Sequence, residues 1–496
     1  MKIHFIGIGG IGTSALAQYY LAKGFSISGS DAVENETIEY LRKLGAKIPP
    51  GPPLKRGKGE GGHNAENVPA DANLVIYNAA IGEDNPELKR ARELKIETKL
   101  YAEALGELTK QMKTIAVSGM HGKSTTTAMI GLIMEKVGFD PTVIVGSKVR
   151  EWGESNFRFG KSEWLVIEAD EYNASFLNYR PQIIVLTNIE EEHLDTYKDL
   201  DDIINTFGEY ISHLGEDGML IYNGEDENID KAISKSQFLI SKKIPNPKLQ
   251  KIQFNSKITI PNLNLKLLGK HNLMNAYAAI SAARAIGISD EISIETLNGF
   301  SGIWRRMEYR GQFNGAKIYD DYAHHPTEIK ATLEGLREIL ISHCEESKGR
   351  RSSLSLKATE EQGNPADGNN NSDSPRPLGA RDDKCHLWCV FQPHQYDRIR
   401  KLFDRFISAF DAADKTIILP IYSVAGRESE EAKQKVSSEK LVKAINEAYK
   451  SASGETIYID SFEKTAEYLK NNLKQGDIAV IMGAGDVYRM TNQLIS

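Results

Sequence analysis

Short apolar runs separated by stretches with helical spacing recur along the whole chain. Ile3 to Ile6 reads as a strand, Ile11 to Ala22 as a helix, Phe25 to Ser28 as a second strand and Leu74 to Tyr77 as a third. Strands alternating with helices predict a parallel sheet covered by helices. The alternation resumes near Lys113. Thr114 to Val117 reads as a buried strand and Lys123 to about Val137 as a helix. Trp164 to Ile167 and Ile183 to Leu186 read as strands, and the Ala-rich stretch Asn275 to Ile286 as a helix. From about Phe300 a third block carries strands at Lys317 to Tyr319, Leu387 to Phe391, Thr416 to Leu419 and Ile478 to Met482. The expectation is an α/β chain of three domains, 1–110, 111–300 and 301–496. That number agrees with a length of 496 residues at about 150 residues per domain.

Two stretches interrupt the pattern. Pro49 to Gly62 is rich in Gly, Pro and Lys and predicts an exposed loop. Glu345 to Lys384 is rich in Ser, Asn, Gly, Asp, Arg and Pro. It has too little apolar surface to offset its ordering entropy, so it predicts a disordered insertion between a helix and a strand. No run approaches the roughly 18 apolar residues of a membrane span. The apolar start, Met1 to Gly7, stops at glycines without a long hydrophobic region or a cleavage pattern. It reads as the first strand of the fold rather than a signal peptide, and a cytoplasmic location is expected. The 68 acidic residues outnumber the 61 basic ones, for a net charge of −7, which argues against a chain built to coat nucleic acid. Three cysteines exclude a disulfide scaffold.

Two glycine loops carry the candidate chemistry. Gly7-Ile8-Gly9-Gly10-Ile11-Gly12 lies between a strand and a helix, where glycines allow a close approach to a diphosphate at the helix N-terminus. Asp31, at the end of the next strand, is placed to hold a ribose hydroxyl. The second loop is Ser118-Gly119-Met120-His121-Gly122-Lys123-Ser124-Thr125. Its amides can cradle phosphates, Lys123 supplies charge and the Ser124 hydroxyl can ligate magnesium. Only two residues separate Gly119 from Gly122, a shorter spacing than the common phosphate-binding loop. A dehydrogenase needs only the first loop and a simple ATPase only the second. An enzyme that activates a nucleotide-linked substrate with ATP needs both.

With these loops the chain resembles the Mur ligases over nearly its whole length outside the two insertions. The motifs are Phe5 to Gly12, Gly62 to Asn67, Gly122 to Thr127, Glu168-Ala169-Asp170-Glu171, Thr187-Asn188-Ile189 followed by His193-Leu194-Asp195, Gly269 to Asn275, Arg305-Arg306-Met307-Glu308, Asp320 to Pro326, Phe391-Gln392-Pro393-His394 and Gly483 to Asp486. His121 before Gly122-Lys123 points to the alanine-adding or the peptide-recycling branch. The resemblance implies a Rossmann-like first domain that binds a uridine diphosphate sugar and a central ATPase of the phosphate-loop type with a mostly parallel sheet. It also implies a Rossmann-like last domain that closes over the site and admits the amino acid. The implied reaction joins L-alanine to the lactyl carboxylate of UDP-N-acetylmuramate through an acyl phosphate, with ATP and Mg2+.

The resemblance also implies residue roles. Gly9, Gly10, Gly12, Asp31 and His63 are placed at the sugar nucleotide. Gly119, His121, Gly122, Lys123, Ser124 and Thr125 fall at the phosphates of ATP. Ser124, Glu168 and His193 are implied as magnesium ligands, a donor set that leaves places for phosphate and water. Glu168 follows the apolar strand Leu165-Val166-Ile167, at the carboxyl end of a sheet where ligands bind. Asn272 and Asn275 are expected near the adenine, although Asn272 could equally cap a helix. Arg306 is expected at the transferring phosphate and Asp321 at the ATP ribose. His324 and Arg398 are expected at the amino acid, with Arg398 able to fork onto its carboxylate. Gln395 stands where some relatives carry a second arginine. The carbamylated lysine of other branches is not carried over, because no Lys lies between Tyr210 and Asp230. Cys385, His386, Cys389 and His394 tempt a zinc reading, but a strand runs through them and no second cysteine pair exists. The alternatives are a tripeptide-recycling ligase, a nicotinamide-dependent oxidoreductase and a non-catalytic nucleotide sensor. The oxidoreductase leaves Lys123, Glu168 and His193 without a role.

Overall fold

Three sheets form the frame. The computed structural model describes residues 1–50, 62–193, 196–241, 249–267, 269–341, 385–423, 430–448 and 455–495. The 345–384 stretch, most of the 49–62 loop, and Leu194 and Asp195 of the histidine motif lie outside these residues. The first sheet contains β1 (Lys2–Ile6), β2 (Ser26–Ser30), β3 (Leu74–Tyr77) and β4 (Glu97–Leu100), all parallel, in the order β2-β1-β3-β4. The second contains β5 (Lys113–Ser118), β6 (Thr142–Val149), β7 (Ser155–Arg158), β8 (Trp164–Glu168), β9 (Ile183–Leu186), β10 (Met219–Asn223) and β11 (Gln250–Phe254). Its order is β11-β10-β9-β5-β8-β6-β7, and only the β6–β7 pair is antiparallel. The third contains β12 (Glu308–Phe313), β13 (Ala316–Asp321), β14 (Leu387–Phe391), β15 (Lys415–Ile418), β16 (Glu455–Tyr458) and β17 (Ile478–Met482). Its order is β12-β13-β17-β14-β15-β16, antiparallel only at β12–β13.

The strands read from apolar runs are mostly interior ones. β1, β3, β5, β8, β9, β14 and β17 are buried along most of their length, so they appear as continuous hydrophobic stretches. The strands that the pattern does not reveal include the edges β4, β7, β11, β12 and β16. β11 and β12 each bury at most one residue, and such a strand carries no apolar run to read. Glycine-containing β6 and the short β10 also escape the pattern. The helix expected at Asn275 begins earlier, at Lys270, just after Gly269 at φ 94°. Asn272 therefore lies inside the first turn, and the capping alternative does not hold.

Two compact units divide the chain: Met1–Leu267 with His271–Trp304, and Arg305–Ser496 with Leu268–Lys270. The first unit holds the first two sheets on one continuous core. Ile3, Leu16 and Leu105 belong to the same buried cluster as Ile144, Leu165 and Phe207. Polar contacts add direction. Asn156, 6% exposed, accepts from Gln18 Nε2 at 3.0 Å and donates to the Ile11 carbonyl and the Ser14 hydroxyl. The segment β7 is thus locked to the helix Ile11–Ala22 that follows the first glycine loop. No helix among the described residues is long and apolar enough to cross a membrane. Asn156→Ala would leave the buried Gln18 amide without this acceptor, at about 1–3 kcal/mol, and remove two further contacts to the helix. We expect a clearly lower thermal midpoint for the first unit; an unchanged midpoint would show that these contacts hold nothing.

Candidate functional site

The order of the second sheet creates the site. After β5 the chain runs to one side, through β6 and β8, and then returns to the other through β9 and β10. Loops leaving the carboxyl ends of β5, β8 and β9 therefore open onto a common crevice, the place where ligands bind such sheets. The phosphate-type loop follows β5. Gly119 and Gly122 have φ of 127° and 84°, conformations that favour glycine. A Cβ on Gly119 would lie 2.2 Å from Thr187 Oγ1, and one on Gly122 would lie 2.2 Å from Asn275 Oδ1. The loop is clamped from β9. Asn188 Oδ1 accepts from the His121 amide at 2.9 Å, while Asn188 Nδ2 and Thr187 Oγ1 donate to the His121 carbonyl at 3.0 and 2.6 Å. Asn275 and Asn272, both buried, stand behind the loop, with Asn275 packed on Gly122. Ser124 and Thr125 occupy the first turn of the helix Lys123–Lys136 and are almost fully buried.

Lys123 reaches back over its own loop. Nζ donates to the carbonyls of Gly119 and Met120 at 2.7 and 3.2 Å and to Glu171 Oε1 at 2.9 Å. Burial alone would lower the lysine pKa, but Glu171, Asp170 and Glu168 outweigh it and hold the group above its ordinary value. Burial likewise pushes Glu171 up, and the charges of Lys123 and His193 bring it below the usual carboxylate range. His193 Nε2 lies 3.2 Å from Glu171 Oε1. Its burial is overcome by that carboxylate, so the imidazole is held above its usual pKa. His193 sits at φ 52°, a left-handed conformation uncommon outside glycine.

The metal set expected from sequence divides in two. Ser124 Oγ donates to Glu168 Oε2 at 2.8 Å, and the same oxygen accepts from the Gly146 amide at 2.7 Å. His193 is instead grouped with Asp170 and Glu171, whose ligand-type atoms lie within 4.8 Å of one another. The reason is local. Glu168 ends β8 and turns onto the helix start, whereas Glu171 lies three residues further on, where the chain enters the turn Tyr172–Asn178. Glu171 and Asp170 are functional candidates that the residue-by-residue reading passed over. The acidic run after an apolar strand was their signal.

The first glycine loop leaves β1. The Gly7 and Ile8 amides donate to the Ser30 carbonyl at the end of β2. Asp31 Oδ2 accepts from the Gly9 amide at 2.8 Å, so the expected ribose-binding carboxylate also ties down the loop. Asn78, at the end of β3, supports it from below: a Cβ on Gly7 would lie 2.3 Å from Asn78 Nδ2. Over Gly12 lies Tyr101, 2.8 Å from where a Cβ would stand. Burial, then the charges of Glu168 and Asp170, raises this phenol. His63 is near Ser30 Oγ, 2.9 Å from Nδ1.

The second unit assembles its own candidates. Of the arginine pair, Arg305 is buried between the rings of Tyr322 and Tyr488, at 5.0 and 4.7 Å, and donates to the Gly483 and Gly485 carbonyls. Arg306 pairs with Glu328 at 3.2 Å and lies over Tyr322. Asp321 is 3% exposed; its oxygens accept from the Met307 and Ala323 amides, both at 2.7 Å. Burial pushes it up to about 6 against the pull of Arg306. His324 Nδ1 donates to the Tyr322 carbonyl at 3.0 Å, and its ring meets that of His394 edge-on at 6.0 Å. Arg398 Nη1 donates to His394 Nδ1 at 3.2 Å, while His394 stacks on Tyr422. His324 and Arg398 are thus brought together through His394. Glu328 and His394 were not assigned roles from sequence; Glu328, four residues after His324 on the helix 326–341, had a spacing that could have flagged it.

Two phosphate-type loops, an acid–histidine cluster and a separate unit carrying arginines and histidines define a nucleotide-using ligase class. Residues 2–113 match the Mur ligase family catalytic domain, 117–283 the Mur ligase middle domain and 305–346 the Mur ligase glutamate ligase domain. The chain belongs to the Mur ligase family. It is 37% identical over 505 residues to UDP-N-acetylmuramate–L-alanine ligase of Acetivibrio thermocellus, covering 98% of this chain and 94% of the relative. It is also 37% identical to the enzyme of the same name from Clostridium acetobutylicum, covering 100% and 97%. The fold matches the crystal structure of UDP-N-acetylmuramate–alanine ligase from Thermotoga maritima with a TM-score of 0.72, at 23% identity, over 100% of this chain and 98% of that one.

Losing one preorganised charge at a transferring phosphate typically costs about a hundredfold or more in kcat, so Lys123→Ala should show at least that loss in phosphate release while remaining folded. Gly122→Ala combines a disfavoured backbone with a clash on Asn275 and should also abolish tight ATP binding. Near-normal turnover in either folded variant would remove this loop from the chemistry.

Proposed function

We propose that this protein joins L-alanine to the lactyl carboxylate of UDP-N-acetylmuramate, with ATP converted to ADP and phosphate, in the cytoplasmic stage of peptidoglycan precursor synthesis. The observation that carries the reading is the pair of glycine loops on one shared core, which contains both Ile8 and Met120, in a chain whose full-length relatives carry the name of that activity. A carboxylate is a poor electrophile. Taking the γ-phosphoryl group turns it into an acyl phosphate; the alanine amine then attacks the carbonyl carbon, phosphate leaves with the carbon–oxygen electron pair, and the amine gives up a proton.

Each step asks for positioning and charge. Gly9, Gly10, Gly12, Asp31 and His63 bind the sugar nucleotide. The amides of Gly119 to Thr125 and the Lys123 ammonium hold the ATP phosphates, with Asn272 and Asn275 behind them. Arg306 faces the transferring phosphoryl group and Asp321 the ATP ribose. His324 and Arg398 orient alanine, Arg398 against its carboxylate. The hard oxygen donors of Ser124 and Glu168, 2.8 Å apart, suit Mg2+, with His193 as the third ligand in this reading. Bound there, Mg2+ would neutralise phosphate charge.

Two tests follow. Phosphate release should require UDP-N-acetylmuramate, ATP and L-alanine together; release at full rate without the sugar nucleotide, or with the tripeptide in place of alanine, would sink the assignment. Gln395 supplies a neutral amide where a second arginine could stand, so the carboxylate contact rests on Arg398. Arg398→Lys should raise the alanine KM with the ATP KM nearly unchanged, Arg398→Ala should raise it further, and Gln395→Arg should lower it. An unchanged alanine KM in Arg398→Ala would place this arginine outside the amino-acid site.

A further inference from the structure

Beneath the first glycine loop lies a carboxylate that the mechanism does not use. Glu87, in the first turn of the helix Pro86–Glu93, is 0% exposed. Burial would push it up, yet hydrogen bonds from His4, His63, Asn67 and Ser30 hold it far below the usual carboxylate range, so it is ionised. Both oxygens are filled with donors. Oε1 accepts from the Asn64 amide at 3.0 Å and from Asn67 Nδ2 at 2.8 Å. Oε2 accepts from His4 Nε2 at 2.9 Å and from Ser30 Oγ at 2.7 Å.

The proton arrangement follows. An ionised carboxylate only accepts, so the single hydroxyl proton of Ser30 must point at Glu87. Ser30 Oγ can then only accept from its other neighbour, His63 Nδ1, at 2.9 Å. His63 Nδ1 therefore carries a proton, and it also lies 3.6 Å from Glu87 Oε1. With Nδ1 protonated, the neutral ring presents a lone pair at Nε2, and among the described residues nothing hydrogen-bonds to that nitrogen. The ring lies beside the nucleotide loop. Gly62 packs so closely that a Cβ there would fall 2.0 Å from the Asp31 carbonyl oxygen, and Asp31 in turn holds Gly9.

We infer that Glu87, acting through Ser30, is a positioning residue that fixes His63 in the Nδ1–H tautomer, so that Nε2 accepts a hydrogen bond from a donor on the uridine. That donor is the uracil N3–H or a ribose hydroxyl. This rests on the assignment of the first glycine loop as the sugar-nucleotide site. If the donor is N3–H, the arrangement selects the base, because cytosine has an unprotonated N3 and would set two lone pairs against each other. Glu87→Gln puts an amide N–H₂ where two donors already point. It reverses the Ser30 hydroxyl and moves the His63 proton to Nε2.

The test uses the full chain with UDP, CDP and 2′-deoxy-UDP as probes, together with nitrogen-15 spectra of the histidine rings. In the wild type His63 should be protonated at Nδ1 and not at Nε2. In Glu87→Gln that signature should be lost. UDP affinity and the UDP-N-acetylmuramate KM should worsen by about tenfold, the scale of one hydrogen bond, with kcat and the ATP KM nearly unchanged. Ser30→Ala, a smaller change, guards against misfolding and should act in the same direction. Collapse of the UDP-over-CDP preference in the variants identifies N3–H as the donor; collapse of the UDP-over-2′-deoxy preference identifies the ribose. His63→Ala with unchanged UDP affinity would overturn the site assignment itself. If His63→Ala weakens UDP but Glu87→Gln and Ser30→Ala do not, or if wild-type Nε2 is protonated, the positioning role is overturned while the site assignment stands.

Discussion

A lysine ammonium removed from water must find full compensation, and the placement of Lys123 sets the terms for everything around it. All three of its donor directions are taken, two by carbonyls of its own loop and one by Glu171. Glu171, itself fully buried, meets His193 at the same oxygen, Oε1, that accepts from Lys123. A charge in such surroundings is costly unless every partner is present. The loop, the turn after β8 and the histidine after β9 must therefore hold their positions together. The Asn188 and Thr187 clamp on His121 serves the same end from the neighbouring strand. The result is a loop whose backbone and lysine are held in place by their own neighbours.

The first sheet obeys the same rule with the opposite charge. There the buried ion is Glu87, and its compensation is drawn from three separate segments: His4 on β1, Ser30 at the end of β2, and the Asn64–Asn67 turn with His63 beside it. One ion thereby fixes the geometry of a loop, two strands and a helix start. Tyr101 packs on Gly12, and its phenol is raised by burial and then by the charges of Glu168 and Asp170. Ile8 of the first glycine loop and Met120 of the second belong to one buried core. For a ligase that must bring a carboxylate to a γ-phosphate, a shared core keeps the two loops at a fixed spacing without further ordering cost.

Much of this was legible along the chain. Most interior strands, β6 and β10 excepted, declared themselves because parallel strands covered on both faces are apolar throughout, and the two glycine loops fell at strand–helix junctions where glycine permits the turn. The ordered motifs carried the family, and full-length relatives agree. Of the edge strands only β2 was read; the others stayed hidden because they carry few buried apolar residues, and β12, for example, has none.

Sequence by itself determined the α/β class, the two glycine loops at strand–helix junctions and the family. Tertiary structure alone decided which polar residues meet. Arg305 and Arg306 are adjacent in sequence, yet one is sealed between two tyrosines and the other faces Glu328. Glu168 and Glu171 share one motif, yet the first turns to Ser124 and the second to Lys123 and His193. Glu87 carries no local sign of its importance, because its partners lie 20 to 83 positions away. Hydrophobic periodicity and glycine act over a few residues and can be read locally. The pairing of buried charges depends on which chain segments the fold brings within hydrogen-bond reach, and that is settled only when the sheets are assembled.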